Sequence, residues 1–233
     1  MQTRLPLKIL SQPDDVTCGP TCLHSVYQYY SRKINLNRVI KDVQGLDAGG
    51  TLGVFLGIDA LKNNFKATMY TYNLRLFDPT WFFPGVDLHE KLNLQMKRKA
   101  GKKKLITASR GYLKFLELGG KIKYEDLTGK LIRKFLISGT PVLTGLSATY
   151  LYGTPREIGE TNEYDDLGGE ASGHFVVLCG YDKIEKKVTV ADPLFPNPRF
   201  KSQYYQVSVN HLISSILLGI LTYDSNLLVI EPK

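Results

Sequence analysis

The feature that most constrains the fold is a change of periodicity near residue 140. Beyond it, PVLTGLS (141–147), HFVVLCGYD (174–182), KVTVADP (187–193) and QYYQVSV (203–209) are short and rich in β-branched and aromatic residues. Turn signals separate them, which is the pattern of strands. Before that point the apolar residues recur at helical intervals. Cys22, Val26 and Tyr29, with Leu23 and Tyr27, predict a helix over 18–30, with Pro20 in its first turn and Asp14, Asp15 and Thr17 supplying its cap. Leu36, Val39, Ile40 and Val43 predict a second over 35–43, and Val54, Ile58, Leu61 and Phe65 a third, capped by Thr51.

KATMYTYNL (66–74) reads as a strand and FDPTWFFPG (77–85) as a packed, proline-broken loop. Helices follow over 88–99, over 109–118, and around Leu127, Leu131, Ile132, Phe135 and Leu136. NHLISSILLGI (210–220) is helix-like and NLLVIEP (226–232) closes as a strand. Helices in front and sheet behind predict an α+β fold, because strands that alternate with helices would be needed for a parallel βαβ design. There is no internal repeat and no evident linker. The expectation is one domain over 1–233, with an extended middle region at about 70–125.

Charge is unevenly spread. The net charge of +8 is nearly matched by residues 91–104, KLNLQMKRKAGKKK, which hold seven basic side chains and no acidic one. Residues 156–170, REIGETNEYDDLGGE, hold six acidic side chains against one arginine. The basic run reads as a solvated loop. It lacks the interleaved aromatics of a single-strand nucleic-acid groove, so no specific nucleic acid is expected, and an acidic partner is the binding expectation for it. The acidic loop runs directly into His174, where it can gate a cleft and favour basic substrates.

No run approaches the roughly 18 apolar residues of a membrane span. The first residues lack a signal peptide's apolar core and cleavage site. With three cysteines, an odd number, the expectation is a cytoplasmic protein with reduced thiols.

The chemistry gathers around Cys18. A free thiol ionises near about 8.5, and the thiolate is the nucleophile; a helix N-terminus and a nearby imidazolium both favour it. Cys18 stands where its helix begins. Of the four histidines, His24 lies on the same helix but on another face, His89 neighbours the basic run and His211 starts the late helix. His174 stands at the mouth of an apolar strand, after Ser172 and Gly173, and suits a general base. A hairpin of 174–181 with 187–191 carries Asp192 toward His174 and leaves Asp182 at the far turn, so Asp192 is the group that orients the imidazole. Gln12 lies six residues before Cys18. Its amide, with the Cys18 backbone N–H, can donate to an oxyanion. Cys22 and Cys179 read as small buried hydrophobes. Cys18, Cys22 and His24 lack the second ligand pair of a structural zinc site.

LSQPDDVTCGPTCL, GHFVVLCGYD and VTVADP together resemble the papain-like cysteine peptidases, and within them the C39-like, bacteriocin-processing-type family. The resemblance implies an α+β papain-like fold, with the helix of the nucleophile packed on an antiparallel sheet, and a bacterial enzyme. It implies Cys18 as nucleophile, His174 as base, Asp192 as orienter and Gln12 as oxyanion-hole residue. It also implies an amide bond, of the peptide kind, as the target and no cofactor or metal. With no transporter or ATPase region attached, double-glycine leader cleavage is not carried over. The same thioester can be passed to an amine, as in a transferase or deamidase, and a fold with a spent site would be a peptide-binding module.

Overall fold

The computed structural model describes residues 2–47, 49–159 and 161–233. The helix predicted from the first periodic stretch is α1 (Cys18–Tyr29), followed by α2 (Leu36–Asp42) and α3 (Gly53–Lys62). Cys22, Leu23, Val26 and Tyr27 on α1 are buried, and Tyr27 stacks on Phe65 with ring centroids 5.2 Å apart. Each buried side chain of this size contributes roughly 1.5–3 kcal/mol by leaving water.

Two capping expectations need correction. Thr17 is the N-cap of α1 but makes no side-chain cap hydrogen bond. Its hydroxyl donates instead to the Asp14 carbonyl at 3.3 Å. The N-cap of α3 is Leu52, and the Thr51 hydroxyl donates to the Gln44 carbonyl at 2.6 Å. The first N–H of α3, on Gly53, donates to Asp224 Oδ1 at 2.8 Å. The carboxylate that serves this helix start therefore comes from the far end of the chain.

The sheet has eight strands. Five are those expected beyond residue 140: β4 (Val142–Ser147), β5 (Gly173–Asp182), β6 (Lys187–Ala191), β7 (Tyr204–Ser208) and β8 (Asn226–Pro232). The front of the chain adds β1 (Gln2–Arg4), β2 (Phe65–Thr71) and β3 (Lys121–Lys123). Phe65, read as the end of a helix, opens β2. The order is β3-β2-β8-β4-β5-β6-β7, antiparallel except for the parallel pair β2–β3. β4 begins opposite Leu178 of β5 and ends opposite Gly173, and β1 takes up β5 from Gly180 onward.

Every residue of β4 is buried. Successive side chains of a strand point to opposite faces, so the sheet centre is covered on both. α1 and α3 pack on it, as do α6 (Gly129–Ile137), the short α7 (Ala148–Tyr152) and α8 (Val209–Leu218).

The middle region builds α4 (Leu88–Arg98) and α5 (Lys103–Glu117). Between β2 and α4, Pro79–Phe82 forms a 3-10 turn, capped by Asp78, within the aromatic loop. The basic run is not a loop. It spans the end of α4, a short turn and the first turn of α5, which starts well before the expected residue 109.

Candidate active site

The N-terminal arm is fixed to the sheet before it reaches Cys18. Leu5 N–H donates to the Cys179 carbonyl at 2.7 Å, Ile9 N–H to the Tyr204 hydroxyl at 2.9 Å, and Gln12 N–H to the Pro193 carbonyl at 2.9 Å. Gln12 is thereby held beside the end of β6, one residue beyond Asp192. At the start of α1, a Cβ on Gly19 would come within 2.7 Å of Thr51. The glycine of CGPT thus permits α1 to sit close to the segment leading into α3.

The β5–β6 hairpin forms as its turn signals predict. Val177 faces Ala191, while Asp182 faces Lys187 and binds the Ile184 and Glu185 N–H groups. Asp192 follows β6 immediately and meets His174: Nε2 of the imidazole lies 2.8 Å from Asp192 Oδ1. A carboxylate only accepts, so Nε2 carries the proton and Nδ1 is the nitrogen left for the thiol. The glycine before His174 does allow close approach. A Cβ there would lie 2.7 Å from the Thr222 hydroxyl.

Asp192 is fully buried. Oδ1 also accepts from Leu194 N–H at 2.9 Å. Oδ2 accepts from the Tyr152 hydroxyl at 2.7 Å and from the Tyr205 hydroxyl. Tyr205 is in turn stacked on Phe200 with centroids 3.8 Å apart. Burial pushes both tyrosines far above their ordinary range, as does the adjacent Asp192 charge, so both remain donors. Burial alone would raise Asp192, but His174 and the hydroxyl donors outweigh it and hold the carboxyl below its usual value. Burial alone would lower His174; the Asp192 carboxylate first, and Cys18 next, raise it to about 10.

Two small cavities meet at His174. One, of about 160 Å³, is lined by Cys18, His174, Asp15, Lys104 and Asp224 among others. The other, of about 290 Å³, is lined by Gln12, His174, Asp15, Glu157 and Tyr152 among others. The Gln12 amide donates one N–H to the Asp14 carbonyl at 2.9 Å, while its buried Oε1 has no partner among the described residues. The acidic loop lies along the second cavity. Asn162 donates to Asp15 Oδ2 at 3.2 Å, and burial, with Asp15 nearby, raises Glu157. Glu160 of this loop lies outside the described residues.

The remaining thiols sit apart from this chemistry. Cys22 is fully buried with Sγ 3.2 Å from the Phe175 carbonyl, and burial, with Cys18 second, pushes its thiol well up. Burial likewise pushes Cys179 up to about 12. Among the described residues, no group of three His, Cys, Asp or Glu side chains is arranged to hold a metal ion. No described helix is long and apolar enough to cross a membrane.

The family model of the Peptidase_C39 like family matches residues 4–214. The chain belongs to the C39-like peptidase family. It is a cysteine peptidase by that membership, and its α+β fold is the family's papain-like one. A putative C39-like peptidase from Bacillus anthracis superposes with a TM-score of 0.55 at 15% identity, covering 100% of this chain and 98% of that one. A double-glycine-motif protease from an AMS/PCAT transporter, solved with its leader peptide, gives 0.47 at 14% identity, with 100% and 99% covered. Xylellain, a cysteine protease from Xylella fastidiosa, gives 0.46 at 14% identity, with 100% and 86% covered. No curated protein sequence matches significantly.

In this C39-like peptidase the expected residues Cys18, His174, Asp192 and Gln12 all line or adjoin one cleft. The two tyrosines on Asp192 were not foreseen. Tyr205 had a signal, since Tyr205 and Val207 alternate inward along β7. Tyr152 had none, because α7 is too short to show a period.

Proposed function

We propose that this C39-like peptidase hydrolyses a peptide bond through an acyl-thioester on Cys18. One observation carries the reading: Cys18, at the first turn of α1, and His174, fixed by Asp192, line the same cavity. His174 takes the Cys18 proton on Nδ1, and the thiolate attacks the carbonyl carbon. The oxyanion is met by the Cys18 N–H, which has no partner within its own helix, and by the second N–H of the Gln12 amide. The C–N bond breaks as His174 protonates the leaving nitrogen. Water then gives a proton to His174 and attacks the thioester; the C–S bond breaks and the acid product departs.

The acyl part is the part bonded to sulfur, so it occupies the cavity that Cys18 lines. The leaving amine occupies the one lined by His174 and Gln12, where Asp15 and Glu157 favour a basic residue. We read residues 1–233 as one such domain, with the middle region of about 70–125 as its extension. The three unpaired thiols support a reducing compartment, the bacterial cytoplasm.

The test is thiol reactivity by position. Native protein is treated with limiting iodoacetamide between pH 5 and 8, and the adducts are located by mass spectrometry, with His174→Ala alongside. Early labelling confined to Cys18, with its low-pH reactivity lost in the variant, is the expected result. Labelling of Cys18 no faster than Cys22 or Cys179 would sink the proposal. Product analysis with an added amine separates hydrolysis from acyl transfer.

A further inference from the structure

The cavity beside Cys18 carries a cation that the mechanism does not use. Lys104 lines it and also lines the adjoining cavity of about 350 Å³, together with Leu46, Gly49 and Lys103. The two cavities share Leu46, Gly49 and Lys104, so they form one groove leading away from the nucleophile. Lys104 comes from the first turn of α5, in the middle region.

Lys104 Nζ lies 5.0 Å from the centroid of the Tyr223 ring, and the Arg75 guanidinium lies 5.7 Å from the same centroid. Tyr223 holds this position with a left-handed backbone, φ 76°, a conformation uncommon outside glycine and costly for a bulky residue. Two like charges thus share one aromatic ring. Among the described residues, neither has a carboxylate within ion-pair distance.

Asp224 lines the same cavity as Lys104. Its Oδ1 is engaged by Gly53 N–H at 2.8 Å and Asn226 Nδ2 at 3.2 Å. Burial raises it to about 7, so near neutrality it offers less than a full counter-charge. Asp47 stands in the outer cavity beside Lys103, and Asp15, held by Asn162, lines the Cys18 cavity as well as the one beyond His174. The Lys104–Arg75 end of the groove is therefore short of negative charge. Both cations are exposed along the groove, and with no carboxylate paired to them an incoming one can form a charge-assisted hydrogen bond there.

We propose that Lys104, backed by Arg75, selects a substrate with an acidic side chain on the acyl side of the scissile bond. The proposal rests on the hydrolase reading above, which places the acyl part in the Cys18 cavity. A terminal carboxylate cannot serve, because the substrate's C-terminus leaves with the amine. The ligand chemistry is therefore that of an Asp or Glu side chain a few residues before the bond. With Asp15 and Glu157 at the other end, the groove fits a peptide whose charge changes from negative to positive across the cleavage point.

Two measurements test this. The first needs no peptidase activity: the rate of Cys18 alkylation by anionic iodoacetate relative to neutral iodoacetamide. Lys104→Ala should lower that ratio about two- to fivefold at low salt, and Lys104→Glu further, with the effect fading as salt screens the field. Arg75→Ala should act in the same direction, more weakly. A ratio unmoved by Lys104→Glu, or a Cys18 that neither reagent reaches, overturns the proposal.

The second is cleavage of a mixed peptide library read by mass spectrometry, with Cys18→Ala as blank. Cys18-dependent cuts should follow Asp- or Glu-containing segments. The wild type should favour a Glu peptide over its Lys counterpart about tenfold in kcat/KM, and Lys104→Glu should reverse the preference. Cys18-dependent cutting with no acidic preference overturns the selectivity alone. No Cys18-dependent cutting at all overturns the hydrolase reading and this inference with it. The iodoacetate ratio keeps those two failures apart, since it reports the field at Cys18 whatever the enzyme cuts.

Discussion

The two nitrogens of His174 face regions built on opposite terms. On the Nε2 side every polar group is partnered: Asp192 accepts from the imidazole, from Leu194 N–H and from two tyrosines, all shielded from water. On the Nδ1 side the polar groups are left with spare capacity. The Gln12 Oε1 has no partner among the described residues, one Gln12 N–H is uncommitted, and Lys104 has no ion pair there. Saturated hydrogen bonding fixes an orientation; unsaturated hydrogen bonding leaves atoms for a substrate to satisfy. The floor of this site is built to hold one ring still, and its walls are built to be completed.

The contrast can be broken most severely at Cys18, the proposed nucleophile. Cys18→Ala should lower amide hydrolysis by roughly ten-thousand-fold or more with only a small fall in the thermal midpoint, from the loss of its interaction with His174. A large loss of stability would place Cys18 among the structural thiols. Asp192→Asn attacks the saturated side. It should cost roughly a hundred- to ten-thousand-fold in kcat and also lower the midpoint, since an amide cannot accept all four donors.

Tyr205→Phe is a gentler cut at the same carboxylate. It should remove about 1–2 kcal/mol of stability and a modest part of kcat while leaving KM in place. Tyr152→Phe combined with it should cost more than the sum, because both hydroxyls serve one oxygen. Strict additivity in that double-mutant cycle would mean the two donors act independently.

Finer still is the pH response. His174 is raised from 6.5 to about 10, so its stabilising contribution is complete below about 6.5 and is lost as pH climbs through about 10. Asp192 is depressed below 3.8; its contribution is present above that value and fades as pH falls through its folded value. Asp224 has the opposite sign. It is raised from 3.8 to about 7, so it makes the fold less stable as pH rises between those values, and Asp224→Asn should flatten that slope. Melting curves from about pH 2 to about pH 11 on the wild type, Asp192→Asn and Asp224→Asn would separate the three contributions.

What the amino-acid order revealed follows from how local each signal is. The α1 helix, the β5–β6 hairpin and the Cys18, His174, Asp192 set were readable because periodicity, one turn and strand pairing decide them. β1 and β3 were not, being three residues each and defined only by the strands they join. The cap of α3 was misread for a related reason. Thr51 has the right chemistry next to the helix, but the carboxylate that serves it is 171 positions away. Lys104 belonged to a run that composition alone describes as solvated surface; it does stay exposed, but the placement of α5 puts it in the lining of the Cys18 cavity.

The origin of α5 has a consequence for how such an enzyme could be altered. The proposed nucleophile, base and orienter come from α1, β5 and the end of β6, whereas Lys104 comes from a helix that supplies none of them. On the proposed reading, preference and reactivity are encoded in separate stretches of the gene. A lineage, or a designer, could exchange the start of α5 and redirect the enzyme to another substrate while its reactive machinery is inherited intact.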